Sequence, residues 1–309
     1  MNIVSAFFKL TRWPNLVFIA LTQMLFRFFV LRFVYSDGTM GAENIKLTFP
    51  LFFSLVFASV CIAAAGYIIN DYFDVNIDLI NKPSKLIIDR YIKRRWAIVW
   101  HIVLSFTGLV ISCYIGYKLR NIYIPVFNFA SIIVLWFYST TFKKKLLIGN
   151  ILISLLTAWV ILVLTFSEHP AHVISDDLYW KRLIKLSFIY AGFAFIISLI
   201  REVIKDMEDM RGDAKYGGTT MPIVWGLQVS KVFVAVWLVV IIAGVAGVQI
   251  YVLQLGWWAS AVYSLFAIII PLVWILRKLY VAQSPKDFHQ LSTAVKMVMF
   301  TGIVSMVFF

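Results

Sequence analysis

Apolar stretches of about 20 residues, the length that crosses the hydrocarbon core of a bilayer, recur nine times in this 309-residue chain. They run approximately 14–34, 49–70, 96–117, 121–141, 146–167, 184–204, 230–249, 251–275 and 291–309. Every backbone polar group of such a stretch must be satisfied internally, which leaves helices or a closed barrel, and uniform runs of this length are helical. The expected fold is therefore an all-α, polytopic membrane bundle, with the whole of 1–309 as one domain. A hydrophobic content of 62% and a mean hydropathy of +0.89 exclude an ordinary soluble domain. Only Lys118, Leu119, Arg120 and Asn121 separate the third stretch from the fourth, so those two must form a tight helical hairpin. The first stretch carries Arg27 and lacks a small-residue cleavage site, so it reads as a span and not as a signal peptide.

Charge sets an expected orientation. With a cytoplasmic N-terminus, 19 of the 28 Lys and Arg residues fall in the inner segments and 8 in the outer ones, as the positive-inside rule requires. The net charge of +13 is spread through short juxtamembrane loops, which assigns it to topology and anionic lipid; no nucleic-acid partner is expected. Cys61 and Cys113 lie inside spans with no motif around them and read as small packing residues.

Against this lipid-like background one acidic pattern is written twice. Asp71, Asp74 and Asp78 read D-x-x-D-x-x-x-D, and so do Asp206, Asp209 and Asp213, each 135 positions after its counterpart. The offset suggests two parallel four-helix pseudo-repeats, spans 1–4 and 5–8, with a ninth helix added; each motif follows the second span of its half and lies on the cytoplasmic face. Positions i, i+3 and i+7 of a helix share an arc of about 60°. If the helices continue through the motifs, each set forms one carboxylate stripe. Like charges so close repel, and hard divalent cations relieve them; with no His or Cys nearby, oxygen ligands point to Mg²⁺. Six carboxylates in two facing stripes suit metal ions held against a diphosphate. A solvated loop balanced by Lys82, Lys85, Arg90, Lys205, Arg211 and Lys215 is the plainer alternative; the matched spacing argues against it.

Several neighbours are candidates for binding an anionic substrate. Asn70 precedes the first motif, where it serves equally as a ligand or a helix cap. Arg201 and Lys205 lie one turn apart beside the second motif, as phosphate contacts or as counter-ions of Glu202 and the aspartates. Tyr138, Lys143, Lys144 and Lys145 end the fourth span, where a lysine run acts as a topological anchor or reaches a leaving diphosphate. No His pairs with a Ser or Cys nucleophile, there is no P-loop, and Gly217-Gly218 reads as a turn.

These residues resemble a known family. Asn70-Asp71-x-x-Asp74-x-x-x-Asp78 followed by Asn81-Lys82-Pro83, the second acidic motif after span 6, and Arg12-x-x-Asn15 at the start of span 1 are similar to the UbiA superfamily of intramembrane prenyltransferases, over essentially the whole chain. The resemblance implies that both motifs bind Mg²⁺ and the diphosphate of a polyprenyl donor, with Asp71, Asp74, Asp78, Asp206, Asp209 and Asp213 as metal ligands. Asp71, Asp74, Asp209 and Asp213 are then the catalytic core. Asn70, Lys82, Tyr138, Lys143, Lys144, Arg201 and Lys205 become the expected substrate contacts. The second motif, Arg201-Glu202-x-x-Lys205-Asp206-x-x-Asp209-x-x-Gly212-Asp213 with Thr220-Met221-Pro222-Ile223 beyond, looks most like the branch that geranylgeranylates geranylgeranylglyceryl phosphate. Prenylation of an aromatic quinone precursor is the alternative acceptor chemistry; a cation or anion transporter is the alternative class. Where family members carry Arg-Pro after the first motif, this chain has Lys85-Leu86 and then Asp89-Arg90.

Overall fold

The structure, a computed structural model, describes residues 2–36, 45–81, 86–169 and 178–309. Lys82 and Lys85 lie outside the described residues. Among the described residues, nine helices are long and apolar enough to cross a membrane, and the chain is an integral, multi-pass membrane protein.

A short helix α1 (Ile3–Leu10), capped by Asn2 through Ser5 N at 2.8 Å, precedes the first span. The spans follow as α2 (Trp13–Leu25), continued by a π-helical turn Phe26–Leu31 and α3 (Arg32–Ser36), then α4 (Phe49–Asn81), α5 (Arg94–Leu119), α6 (Tyr123–Thr140), α7 (Ile148–Ser167) and α8 (Leu178–Lys215). The one-turn α9 (Met221–Val224) leads into α10 (Gly226–Gln254). The eighth span is α11 (Trp258–Ser264), a π-helical turn Leu265–Ile269 and α12 (Ile270–Val281), and the ninth is α13 (Pro285–Val304). The chain divides into two compact units, one comprising 1–143 and 159–188 and the other 144–158 and 189–309.

Besides the overrun of α4 and α8 past their apolar stretches, three differences from the sequence reading stand out. α1 is additional, because its amphipathic turns are too short to register as a span. α10 runs on to Gln254, and the next span begins only at Trp258; Gly256, at φ +78°, provides the break that continuous hydropathy concealed. α13 starts six residues earlier than its apolar stretch, at Pro285. There Ser284 and Asp287 form a capping box, with Ser284 N donating to Asp287 Oδ2 at 2.9 Å.

In the first unit α4 packs against α2, α5 and α6. Lipid tails are as apolar as the side chains, so packing here depends on close fit and interhelical polar contacts. Gly108 of α5 permits the close fit: a Cβ there would lie 3.1 Å from Ala58 O and 2.7 Å from Ile62 Cγ1 of α4. The α5–α6 hairpin is tight, with only Arg120, Asn121 and Ile122 between the two helices. Arg120 takes a left-handed conformation (φ +50°), and Asn121 N closes on Gly116 O at 2.8 Å. Buried Asn128 joins three helices by donating to Ser112 Oγ (2.8 Å) and accepting from Trp159 Nε1 (2.9 Å). Cys61 is buried as expected, whereas Cys113 faces outward on α5; the packing reading fails for Cys113 because its helix turns that side away from the unit.

In the second unit Val234, Leu238, Leu272, Ile275 and Val295 are fully buried where α10, α12 and α13 meet. Pro271 has no N–H to offer Ala267 O one turn earlier, and Thr301 Oγ1 of α13 donates to that carbonyl at 2.7 Å. A proline within a span is thereby accommodated without an unsatisfied carbonyl.

The feature that positions the acids is helix length. α4 has 33 residues and α8 has 38, about 50 Å and 57 Å at 1.5 Å per residue, against a hydrocarbon core of about 30 Å. The surplus carries each aspartate motif on a rigid helical extension.

Candidate active site

The condition set by the 3–4 spacing holds. Asp71, Asp74 and Asp78 all lie on α4, and Asp206, Asp209 and Asp213 all lie on α8. Each set is one stripe on one helix.

In the first unit, neighbouring elements supply cations to the stripe. Arg12 Nη2 donates to Asp71 Oδ1 at 2.6 Å. Arg12 is held there by a left-handed backbone (φ +51°) between α1 and α2, and its guanidinium lies 5.2 Å from the Tyr67 ring centroid. Its pKa is raised above the arginine range, first by the Asp71 charge and against the opposing effect of burial, so it remains a cation throughout. Lys143, at the 3₁₀ turn Phe142–Lys144 that ends α6, pairs through Nζ with Asp74 Oδ1. Asn70 Nδ2 donates to the other oxygen, Asp74 Oδ2, at 2.8 Å, while Asn70 Oδ1 is buried without a hydrogen-bond partner.

In the second unit the arrangement is different. Asp206 Oδ2 accepts from a neutral amide, Asn150 Nδ2 of α7, at 2.8 Å. The adjacent cations are held by another acid: Glu202 receives Arg201 Nη1 at 3.1 Å and Lys205 Nζ at 3.0 Å. The end of α8 is fixed by a turn in which Gly218 N donates to Asp213 O at 2.8 Å. Gly217 there takes φ +72°, and a Cβ on Gly218 would come 2.9 Å from Asp213 O. The glycine pair is thus the turn that the sequence suggests. Thr219 then ties the loop to Lys144, donating to its carbonyl through N (2.7 Å) and Oγ1 (2.8 Å).

The placement of the expected substrate contacts is mixed. Asn70, Lys143, Arg201 and Lys205 lie beside the acids of their own motif, and Tyr138 lies in the last turns of α6. Lys144 contributes a backbone carbonyl to the Thr219 contact. Asp89 takes φ +67° and receives Arg94 Nε at 2.8 Å, so the unusual Asp89-Arg90 sequence builds a turn ahead of α5. His289 of α13 reaches Oε1 of Glu208, the neighbour in sequence of Asp209, at 3.0 Å.

Two site residues escaped the candidate set. Arg12 marks the start of span 1 but carries no sign of its partner 59 residues away. Asn150 did have a signal: it follows Asn15 by 135 residues, the same offset that relates the aspartates.

Among the described residues no group of three His, Cys, Asp or Glu side chains converges as a ready-made metal cage. The donor set nevertheless fits Mg²⁺. It is composed of hard carboxylate and amide oxygens, and the buried, unpartnered Asn70 Oδ1 is a spare ligand atom beside Asp74. Mg²⁺ retains waters and shares a few carboxylates with substrate phosphates, so no all-protein cage is needed.

Fold and site together define a polytopic helical membrane protein whose extended helix ends carry hard oxygen ligands next to fixed cations. The chain belongs to the UbiA prenyltransferase family, whose profile matches residues 13–300. A curated digeranylgeranylglyceryl phosphate synthase of Methanothermobacter thermautotrophicus is 33% identical over 204 residues, 65% of this chain. The match spans 66% of that relative, just under two thirds of its length. Among solved structures, a digeranylgeranylglyceryl phosphate synthase superposes with a TM-score of 0.62 at 23% identity, covering 98% of both chains. A UbiA homologue from Archaeoglobus fulgidus bound to DMAPP and Mg²⁺ superposes at 0.54 and 13% identity, covering 97% of this chain and 98% of that one. These similarities establish the all-α membrane fold.

Proposed function

We propose that the protein transfers a geranylgeranyl-like group from its diphosphate to the free hydroxyl of a prenylglyceryl phosphate, in a Mg²⁺-dependent reaction. The observation that carries this reading is the pair of D-x-x-D-x-x-x-D stripes on the helical extensions of α4 and α8. Kinship with proteins named as digeranylgeranylglyceryl phosphate synthases supports the acceptor, and the Archaeoglobus homologue's ligands support the donor class and the metal. The reading includes a cell-membrane location, a cytoplasmic N-terminus and cytoplasmic motifs, supported by the 19-to-8 distribution of basic residues. It also includes a single domain of two parallel four-helix repeats with a ninth helix, supported by the 135-residue offset.

Asp71, Asp74, Asp78, Asp206, Asp209 and Asp213, with Asn70, are the groups that would hold Mg²⁺. When bound, it supplies neutralisation of the charge that develops on the diphosphate leaving group. Lys143 and Arg12 occupy acids of the first motif and turn to phosphate oxygens when the anionic donor arrives; Lys82, close after the first motif in sequence, and Lys144, next to Lys143, are further candidate cations. Tyr138, in the last turns of α6, is a candidate contact for the donor, with an aromatic face and a hydroxyl to offer. The acceptor oxygen bonds to C1 of the donor as the C1–O bond to diphosphate breaks. The bonding pair leaves with diphosphate, and the hydroxyl proton passes to solvent.

The test is incubation of the purified protein in lipid nanodiscs with labelled geranylgeranyl diphosphate and either geranylgeranylglyceryl phosphate or an aromatic acid. A labelled glyceryl ether supports the reading. A labelled aromatic product replaces it with quinone-precursor prenylation.

A further inference from the structure

The second motif contains more positive charge than the metal site requires, arranged in a particular order. Arg201, Lys205, Asp209 and Asp213 are spaced by four residues along α8, so each lies about 6 Å and about 40° from the last. Two cations are followed by two acids on one slowly winding stripe. Arg201 and Lys205 share a single carboxylate, Glu202. Lys205 has no ion pair with Asp206, whose Oδ2 is taken by Asn150. Two cations on one acid leave the group locally positive.

Arg201 shows where that charge is directed. Glu202 occupies Nη1 at 3.1 Å, whereas Arg201 Nε is buried and has no hydrogen-bond partner. A buried guanidinium N–H without an acceptor is costly. The edge formed by Nε and Nη2 presents two parallel N–H groups, the geometry that grips two oxygens of a phosphate or carboxylate. Asp209 lies about 12 Å along the helix from Arg201, so a diphosphate centred on Asp209 and Asp213 leaves this edge unfilled.

We propose that Arg201 and Lys205 bind the phosphate monoester of the acceptor lipid, in a seat separate from the carboxylates that handle the donor diphosphate. This rests on the reading of the reaction given above and deepens it: the chain selects a phosphorylated acceptor through an oxyanion contact that an uncharged acceptor cannot make. Glu202 holds the two cations together and keeps them off the metal-binding acids.

Steady-state kinetics in nanodiscs test this, with geranylgeranylglyceryl phosphate and its dephosphorylated alcohol as alternative acceptors. Arg201→Gln is expected to raise the KM for the phosphorylated acceptor at least ~10-fold, leaving the KM for geranylgeranyl diphosphate within about twofold. With the alcohol, which has no phosphate to hold, Arg201→Gln is expected to lose much less than with the phosphorylated acceptor. Arg201→Lys, which keeps the charge and loses the fork, is expected to fall between wild type and Arg201→Gln and guards against a folding defect in the glutamine variant. A rise in donor KM, or an equal loss with both acceptors, overturns the assignment and leaves the reaction standing. Absence of a glyceryl ether from the wild-type protein overturns the reaction, and the assignment with it.

Discussion

The two aspartate motifs have the same spacing and opposite surroundings. In the first, cations from other elements sit directly on the acids: Arg12 on Asp71 and Lys143 on Asp74. In the second, Asp206 is oriented by the neutral Asn150, and the cations Arg201 and Lys205 are gathered on the additional acid Glu202. A carboxylate paired with an arginine must exchange or share that partner before it serves a metal ion. A carboxylate oriented by an amide has no paired cation to displace before it meets a metal. Identical acid patterns can therefore play complementary parts. On the proposed reading, the first motif exchanges its own cations for a metal, while the second keeps its cations on Glu202, apart from the motif's acids.

The comparison can be broken most forcefully at the acids shared by both motifs. Asp71→Asn and Asp209→Asn are each expected to lower turnover by at least about 100-fold, the scale of removing one group that stabilises charge in a transition state. Radiolabelled transfer measures this, and loss in only one of the two variants would assign the metal work to a single motif. The next effect is on stability. Lys143 and Asp74 are both largely buried, with side chains 10% and 16% exposed, so Lys143→Ala leaves Asp74 without its paired cation and with the Asn70 amide still bonded to it, at a cost of up to about 3 kcal/mol. Mg²⁺ is expected to recover more thermal stability in this variant than in wild type, and equal Mg²⁺ shifts in the two proteins would contradict the exchange of cation for metal.

Asn150→Ala removes the hydrogen bond that orients Asp206, worth about 0.5–1.5 kcal/mol. It is expected to raise the Mg²⁺ concentration for half-maximal activity roughly 10-fold, with donor KM at saturating Mg²⁺ little changed; an unaltered Mg²⁺ curve would make Asn150 purely structural. The smallest effect is expected at Asp89, whose pair with Arg94 is exposed, with side chains 47% exposed on both partners. Asp89→Asn tolerates the left-handed backbone and should shift stability by less than about 1 kcal/mol, leaving turnover near normal. A large loss of activity there would bring this turn into the site.

The parts legible in the sequence were those encoded by local repetition. Apolar run length revealed the spans, and the 3–4 spacing of Asp71, Asp74 and Asp78 made a stripe once α4 was known to continue to Asn81. That continuation was only conditional from sequence, because the charged residues that extend a helix past the bilayer also lower its hydropathy. The partners of the acids were much less accessible. Arg12, Lys143 and Asn150 reach their aspartates across 59, 69 and 56 residues, and nothing local announces such a contact. Lys143 was placed among the candidates only through its lysine run. From sequence, Arg201 and Lys205 suit either phosphate contacts or counter-ions of Glu202 and the aspartates; that Glu202 holds both appears only with the geometry.

The central claim is that both carboxylate stripes serve one Mg²⁺-dependent prenyl transfer, and it is tested most directly by measuring product and diphosphate together. Wild-type protein supplied with geranylgeranyl diphosphate and geranylgeranylglyceryl phosphate should yield ether lipid and diphosphate in equal amounts with Mg²⁺ and neither with EDTA, and Asp71→Asn and Asp209→Asn should each lose both. Undiminished transfer in EDTA, or in either variant, would contradict it.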